Sequence, residues 1–374
     1  MTGCSTETSR FSDPAALFQA QELQMASRQA TDRPEINSGI VSVMDSWKTL
    51  ALAVATLFPI AAVGAEPQPD PASIITLQDE NAAISAAPGL QDRFYTNGLR
   101  LGWTSPTGMV PDILANLGHD LLGDGLQRIS VDLSQQIYTP ANTSLVPANP
   151  HDRPYAGYLA VDVSLLSDTA ISRSMVMLSL GVVGPASGGE QIQNGFHDLI
   201  GQSHDLGWSS QISNVPAVEL LAERTWRLPI GSVAGLETDA LPALTAGVGD
   251  LRDYLQVGGT LRIGQGLDSD FGVPRVRPGL SGGDAYTPTR PVAWYLFTGI
   301  DGQAVGYDLL LQSSPFRGGP HVDPVWDVAE FQAGAAVMAF GARLTLAYLV
   351  QTQEFQGQRG GLHQMGSASI SFRF

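Results

Sequence analysis

Apolar and polar residues alternate in short runs along most of the chain beyond residue 66. The segment GLRLGW places Leu99, Leu101 and Trp103 on one face and Arg100 on the other, and RLTLAYLV near the C-terminus repeats the pattern. Because successive side chains of a β-strand point to opposite faces, this period of two predicts amphipathic strands.

Twelve such segments can be distinguished, and their length of about ten residues suits a tilted strand that spans a membrane. An even number of strands allows an antiparallel sheet made from one chain to close. No segment after Glu66 approaches the roughly 18 uninterrupted apolar residues of a membrane-spanning helix. The predicted strands are 74–84, 95–105, 127–138, 156–167, 174–184, 213–228, 236–248, 254–264, 293–304, 322–338, 341–353 and 366–374.

This pattern predicts an all-β protein, a transmembrane antiparallel β-barrel of about 12 strands in the bacterial outer membrane. The final segment, GSASISFRF, ends on Phe374 and resembles the closing strand of such barrels. A β-sandwich is the less favoured alternative, because sandwich edges are usually blunted with charge or proline. Three long connections rich in Gly, Pro and Asp are predicted to be surface loops, namely 106–126, 139–155 and 265–291.

Composition narrows the possible functions. Of the 374 residues only 15% are charged, 41 are glycine and 24 are proline, which excludes a disordered chain or a coiled coil. The formal charge of −16 makes nucleic acid a poor partner. The only lysine, Lys48, and the only cysteine, Cys4, precede residue 66, so the body has arginine as its sole permanent cation and no thiol chemistry.

The N-terminal region predicts export. Residues 44–65 have a methionine start, one lysine, an apolar core and small residues at a cleavage site, which is typical of a secretory signal peptide. A lone membrane anchor is less favoured because the apolar run is short and contains Pro59. Residues 1–43 are interpreted as an over-extended gene start or a disordered segment, and 66–374 as a single barrel domain.

One segment breaks the strand pattern. In GPASGGEQIQNGFHDLIG, residues 184–201, Gln193 and His197 are spaced i, i+4 on the polar flank of a predicted short helix, next to an apolar face. Asn194 shares that flank. Histidine is the usual general base, and Gln193 and His197 could address one substrate together. A helical histidine alone is more often a surface or capping residue.

Three groups of motifs closely resemble the lipid A 3′-O-deacylase family of outer-membrane enzymes. They are QDRFYTNGLRLGW at 91–103, QQIYTP with HDRPYAGYL at 135–140 and 151–159, and GVVGPASGGEQIQNGFHDLIGQSHDLGWSSQ at 181–211. The resemblance covers roughly residues 74–212. It implies a twelve-stranded barrel whose active site lies between the wall and a small helix near the outer leaflet, where calcium and a histidine-activated water hydrolyse an ester of lipid A.

The resemblance also assigns roles to residues. His197 matches the catalytic base, Gln193 its partner one turn earlier, and Thr96 the hydroxyl residue that lines the site. Asn81 matches the asparagine of the family's Asn-Asp pair on the first strand, whereas the aspartate position is occupied by Ala82.

Calcium prefers several oxygen ligands including carboxylates, so the missing aspartate needs a substitute. Asn81, Glu80 and Asp92 are the predicted ligands, and Asp79 is a further candidate for the missing carboxylate.

Without a lysine in the body, the cation that stabilises the oxyanion would be an arginine. Arg153 and Arg93 are the candidates, with Tyr95 and Asn194 as further substrate contacts; Asp152 and Arg153 could instead pair with each other. A serine nucleophile, as in outer-membrane phospholipase A, is the main competing mechanism.

These observations predict a monomeric outer-membrane hydrolase that removes the 3′-linked acyloxyacyl chain of lipid A in lipopolysaccharide, with calcium as cofactor. An inactive relative that binds lipopolysaccharide or is structural is one alternative, which Ala82 favours. A passive pore and an outer-membrane phospholipase are the others.

Overall fold

The computed structural model describes residues 67–84, 93–277, 279 and 281–374. The predicted signal peptide and the segment before it lie outside these residues. Thirteen β-strands form one antiparallel sheet. They are β1 (Ile74–Asn81), β2 (Phe94–Thr104), β3 (Leu126–Thr139), β4 (Ala156–Asp168), β5 (Ser172–Val183), β6 (Val215–Trp226), β7 (Leu228–Val233), β8 (Leu236–Gly249), β9 (Arg252–Gln265), β10 (Val292–Asp308), β11 (Asp327–Ala339), β12 (Ala342–Gln351) and β13 (His363–Arg373).

The sheet closes into a barrel. The first strand, β1, pairs with β2 and with the last strand, β13, while β6 pairs with both β5 and β8. The short strand β7 pairs only with β8, so twelve of the thirteen strands make the closed wall. The predicted all-β barrel of twelve antiparallel strands is therefore confirmed.

The predicted segments coincide with the spanning strands, and the largest difference is at β11. Its segment was predicted to start at residue 322, whereas the strand begins at Asp327. Val322 is buried in a small apolar cluster with Phe94, Leu311 and Phe355 at the extracellular end of the barrel. The predicted strand was therefore too long, because it included apolar residues that are buried outside the sheet.

The two faces of the wall have opposite chemistry. Outward side chains such as Leu101 and Leu133 are large, apolar and exposed, whereas inward ones such as Gln78, Arg100 and Ser130 are polar and buried. Closure satisfies the backbone hydrogen bonds within the sheet, as a hydrocarbon surrounding requires. The alternation predicted from the sequence is confirmed.

Connections at the two ends of the barrel define its orientation. The short turns 169–171 and 340–341 lie at the end that holds the start of β1, together with the longer connections 105–125 and 266–291. Loops 140–155 and 184–214 extend from the other end. In outer-membrane barrels short turns face the periplasm and longer loops face outward. We therefore call the first end periplasmic and the second extracellular.

The described parts of the connections contain three α-helices: α1 (Asp112–Leu122), α2 (Gly189–Ile200) and α3 (Leu309–Gln312). The extracellular loops carry α2, as predicted, and α3. At the periplasmic end lies α1, inside a connection predicted to be a surface loop. None of the helices in the described part of the chain is long and apolar enough to cross a membrane.

The connection between β9 and β10 was predicted to be a surface loop, and this prediction is wrong. Residues 266–291 enter the lumen from the periplasmic end, and most of their described side chains are buried. Asp284 of this segment accepts two hydrogen bonds from Arg100 of β2, at 2.7 and 2.8 Å. We call residues 266–291 the luminal plug.

Two arginines bind the part of the plug that lies nearest the extracellular end to the wall. The Nε atom of Arg275 donates to Glu80 of β1 at 2.8 Å, and its Nη1 atom donates to Glu330 of β11 at 2.6 Å. Arg277 binds the second oxygen of Glu330 at 2.7 Å. These charged side chains can remain buried because each of them is bound to a group of opposite charge.

The plug leaves little open space within the barrel. A cavity of about 110 Å³ remains in the lumen, lined by residues of both the wall and the plug, including Arg100, Asp132 and Arg275. A filled lumen disfavours a passive pore, which was one of the alternatives left open by the sequence.

The first prediction concerns the plug anchor. We expect Arg275→Met to lower the free energy of unfolding by about 3–5 kcal/mol, because the buried charge of Glu80 would lose its ion pair and that of Glu330 would keep only Arg277. Urea-induced unfolding of the barrel in phospholipid vesicles measures this loss.

Arg290→Met is the matched control. Arg290 pairs with Glu237 in a half-exposed position, so its removal should change the free energy of unfolding by less than about 1 kcal/mol. Equal stability of the two variants would contradict the anchoring role of Arg275.

Candidate active site

Glycines allow helix α2 to lie close to the barrel. A Cβ atom on Gly189 would come within 3.0 Å of the Gly157 Cα atom and 3.2 Å of the Trp208 ring, so the first helical turn has no room for a side chain. The helix ends at Gly201, whose φ of +72° suits a left-handed C-cap. The glycines of the segment that broke the strand pattern thus define both helix ends.

The polar flank of α2, and not its apolar face, is turned inward. Gln193 and His197 are only 5% exposed. By contrast, the apolar residues Ile192, Phe196 and Leu199 are 38, 48 and 81% exposed. An amphipathic helix with this orientation buries its polar groups against the barrel and presents its apolar side to the surroundings, which suits the outer leaflet.

A cavity of about 210 Å³ separates α2 from the outer surface of the wall. The wall contributes Asp79 and Asn81 from β1 and Thr96, Asn97 and Leu99 from β2. The remaining lining comes from the helix and adjoining turns, namely Ala83, Ile192, Gln193, Phe196, His197, Ile200 and Gln202. The structure thus brings together four of the predicted site residues, Asn81, Thr96, Gln193 and His197.

A β-bulge explains how Thr96 reaches this cavity. The register between β2 and β3 shifts between Tyr95 and Asn97, so Thr96 is the extra residue. Tyr95 consequently turns into the lumen, while both Thr96 and Asn97 line the outer cavity. The Thr96 hydroxyl is fixed by a hydrogen bond of 2.7 Å with the hydroxyl of Thr139.

The hydrogen bonds of His197 define its tautomer. The Nδ1 atom lies 2.8 Å from the Ser203 carbonyl oxygen, which can only accept a hydrogen bond, so Nδ1 carries the proton. The Nε2 atom lies 2.9 Å from the Nε2 atom of Gln193, whose amide donates to it. In the neutral ring Nε2 is therefore the basic nitrogen, and Gln193 orients it.

Asn194 stabilises the turn that supports His197. Its side chain donates to the Asp205 carbonyl at 3.3 Å and accepts from the Asp205 amide at 2.9 Å. This pair of bonds holds the segment after the helix, which contains the Ser203 carbonyl. Asn194 does not line the cavity, although the sequence predicted a substrate contact.

The other three predicted substrate or oxyanion residues also lie elsewhere. Arg153 is buried and binds Glu354 at 2.5 Å, and it does not use its side chain to pair with Asp152. The hydroxyl of Tyr95 donates to Glu80 in the lumen at 3.0 Å. Arg93 donates to the Gly360 carbonyl. No arginine is among the described residues that line the cavity beside His197.

Arg153 belongs to a luminal charge cluster at the extracellular end. Burial alone would raise the pKa of Glu354, but the nearby guanidinium groups of Arg153, Arg277 and Arg252 outweigh it and lower this pKa to about 2. Glu354 therefore stays ionised at neutral pH. Arg153 is needed to balance that charge, which accounts for its position away from the cavity.

The predicted metal ligands separate across the wall. Asn81 lines the cavity, and its side-chain oxygen accepts from the Ala83 amide at 2.7 Å. Glu80, the next residue back, faces the lumen and is bound to Arg275, so it cannot reach the same site. Asp92 lies outside the described residues.

Asp79 occupies the position that Glu80 was expected to fill. Its carboxylate lines the cavity, and one oxygen accepts from the Asn97 amide at 2.7 Å. The signal was present in the sequence, because Asp79 and Asn81 are two residues apart on a strand and must share a face. Within the described ranges, no three His, Cys, Asp or Glu side chains are grouped closely enough to hold a metal ion by themselves.

The chain also contains one G-x-S-x-G spacing, at Gly279, Ser281 and Gly283, which reasoning from the sequence overlooked. The Ser281 hydroxyl lies in the luminal plug and accepts from the Gly283 amide at 3.2 Å. No histidine is among the described residues around the luminal cavity that Ser281 lines. This serine lacks the strand-turn-helix setting and the base of a hydrolase nucleophile.

Fold and site together define an outer-membrane β-barrel with a lateral cavity on its outer surface. A family model described as "Outer membrane protein LpxR" matches residues 50–374. The chain belongs to this family, which confirms the family resemblance and the outer-membrane location predicted from the sequence.

One solved structure, that of LpxR from Salmonella typhimurium, supports the same fold. LpxR from Salmonella typhimurium is 22% identical, with a TM-score of 0.65, and the match covers 81% of this chain and all of that one. The translocator domain of the autotransporter NalP from Neisseria meningitidis is 11% identical over 90% of this chain and 97% of that one, with a TM-score of 0.37. A comparison with curated proteins gives no match.

The second prediction concerns the support of His197. We expect Asn194→Ala to release the turn around Ser203, because two hydrogen bonds to Asp205 would be lost. Each is worth about 1 kcal/mol, so amide exchange at residues 201–206 should accelerate roughly tenfold or more. Hydrogen exchange read by mass spectrometry measures this.

Asn142→Ala is the control. Asn142 makes comparable local hydrogen bonds to Ser144 in another extracellular loop, and its loss should leave exchange at 201–205 unchanged. Leu206 is left out of this comparison, because its amide donates to the Thr143 carbonyl beside Asn142. Unaltered protection of that turn in Asn194→Ala would contradict the supporting role.

Proposed function

We propose that this protein hydrolyses the ester that links the 3′ acyloxyacyl chain to lipid A, acting as a monomer in the outer membrane. The observation that carries the proposal is that the His197 and Gln193 pair faces a cavity on the outside of the wall. A substrate embedded in the outer leaflet reaches such a cavity laterally. Membership of the LpxR family supports the same substrate class.

The residues of the cavity suit hydrolysis by water. When the Gln193 amide releases the lone pair of His197 Nε2, this atom takes a proton from water as the oxygen attacks the ester carbonyl, and the ring then returns a proton to the departing sugar oxygen. The products are the acyloxyacyl chain as a free carboxylic acid and lipid A with a free 3′-hydroxyl group. Gln193 orients the ring, and Thr96 is placed to donate to the developing oxyanion.

The cavity also offers oxygen donors that suit calcium. Asp79 supplies a carboxylate and Asn81 an amide oxygen on the same face of β1, and hard oxygen donors of this kind are those calcium prefers. These two residues would hold the ion, which when bound would polarise the ester carbonyl. With one carboxylate in place, Asp79 takes the part that the family assigns to the aspartate position at Ala82.

An inactive relative remains the second candidate, and Ala82 is the observation that favours it. Ala82 is fully buried in a short 3-10 turn after β1, so it offers neither a ligand nor space for one. In an active enzyme Asp79 would replace the missing aspartate as a calcium ligand, whereas in an inactive relative it would not.

The third prediction tests the proposed base. We expect His197→Ala to lower the rate of fatty acid release from purified lipopolysaccharide by about 100-fold or more, because general-base catalysis is lost. Gln193→Ala should lower it less, since the base remains but loses its orientation.

His204→Ala is the control for the third prediction, because His204 lies in the same turn, is exposed and pairs with Asp198. Full activity of His197→Ala, or equal loss in His204→Ala, would exclude His197 as the base. Phosphatidylethanolamine offered beside lipopolysaccharide separates a deacylase of lipid A from a phospholipase.

The fourth prediction concerns calcium. We expect Asp79→Asn to raise the calcium concentration needed for half-maximal activity by roughly tenfold or more, because the only carboxylate among the described residues of the cavity loses its charge. Asp198→Asn, at an exposed position on α2 beyond the cavity, should leave it unchanged. A calcium requirement that is the same in Asp79→Asn and the wild type would contradict the assignment of Asp79.

A further inference from the structure

The periplasmic helix α1 is attached to the outside of the barrel wall. Gln127 is the outward-facing residue near the start of β3, and its amide donates to the Ala115 carbonyl at 3.0 Å. A Cβ atom on Gly118 would lie 2.7 Å from the Gln127 side chain, so the helix rests directly on it. Ser167, outward-facing on β4, donates to the Gly123 carbonyl at 3.2 Å, just beyond the helix end.

The helix has three faces, each about a third of a turn wide at 3.6 residues per turn. One face packs against the wall and contains the buried Gly118. The second is polar and exposed, with Asp112, Asn116 and Asp120 at intervals of four residues. The third consists of large apolar side chains that are exposed, namely Ile113, Leu114, Leu117 and Leu121.

The apolar face lies next to the lipid-facing surface of the barrel. From the contact at Gln127, the next outward residues of β3 towards the membrane are Ile129 and Val131. From the contact at Ser167, those of β4 are Leu165 and Val163. The apolar surface of the wall thus begins at the point where the helix is attached.

We infer that α1 lies in the inner leaflet of the outer membrane, at the boundary between headgroups and acyl chains, with phospholipid as its partner. Its apolar face enters the acyl-chain region beside β3 and β4, and its polar face meets the periplasm. A location in water would leave four large apolar side chains of one short helix exposed. Because the apolar face of α1 is continuous with the lipid-facing surface of the wall, we infer that lipid, and not another protein, covers it.

The charge of the helix specifies the kind of lipid. Between residues 112 and 122 the chain has Asp112 and Asp120 but no lysine or arginine. Many interfacial helices add electrostatic attraction to anionic lipids through basic residues. Because α1 lacks them, its immersion depends on apolar area alone, and zwitterionic phospholipid is sufficient.

The test uses nitroxide labels on single cysteines in the full chain, with Cys4 replaced by serine. The label is placed at L117C on the apolar face or at D120C on the polar face, and the protein is reconstituted in phosphatidylcholine vesicles at a low protein-to-lipid ratio. Relaxation by oxygen, which concentrates in lipid, is compared with relaxation by a water-soluble nickel chelate. L133C, on the lipid-facing side of β3, verifies insertion of the barrel.

We expect the label at L117C to be several times more accessible to oxygen than to the chelate, as at L133C, and the label at D120C to show the reverse. Adding phosphatidylglycerol should leave both ratios unchanged. Equal accessibility to the chelate at L117C and D120C would overturn the inference and place the helix in water. Protection of L117C from both reagents would also overturn it, because a second copy of the chain would then cover the face.

Discussion

The alternation of side chains between the two faces of the barrel wall is the constraint on which the rest of the structure depends. On β1, Glu80 points into the lumen and binds Arg275, while its neighbours Asp79 and Asn81 point into the cavity beneath α2. The luminal plug therefore holds, through Glu80, the same segment of β1 that presents Asp79 and Asn81 to the candidate active site. Filling of the lumen and lateral access from the membrane are two results of the same geometry.

Helix α2 completes the site in a way that only a membrane surface permits. In a water-soluble protein its apolar face would be buried and His197 would face solvent. Here the apolar residues are exposed and the polar pair is buried against the wall. Lipid around the helix stabilises the apolar side, so the polar groups remain free to form a small cavity at the depth of the outer leaflet.

Much of the fold could be predicted from the sequence, because period-two alternation reports directly on a wall with lipid on one side. The luminal plug could not, since Arg275, Arg277 and Asp284 find their partners on strands that are distant in sequence. A loop rich in charge, glycine and proline has the same composition whether water or a polar lumen surrounds it. The helix α1 was missed for a similar reason, because its apolar residues follow a proline-rich turn and match no strand.

The candidate site divides in the same way. His197, Gln193, Thr96 and Asn81 were predicted together from motifs, and the structure places all four around one cavity. Arg153 and Tyr95 belong to the lumen, a difference that depends on a bulge at Thr96 and on the partner Glu354. Glu80 was predicted as a metal ligand, but it faces the lumen. The alternation along β1 already indicates that Asp79, and not Glu80, shares a face with Asn81.

Mass spectrometry of lipid A from cells that make this protein, with fragmentation to locate each acyl chain, tests the central claim most directly. We expect the intact species to lose the mass of one acyloxyacyl chain, with the loss assigned to the 3′ position, and chelation of calcium to prevent it. Unchanged lipid A beside correctly folded, surface-located barrel would contradict the proposed deacylation and would favour an inactive relative.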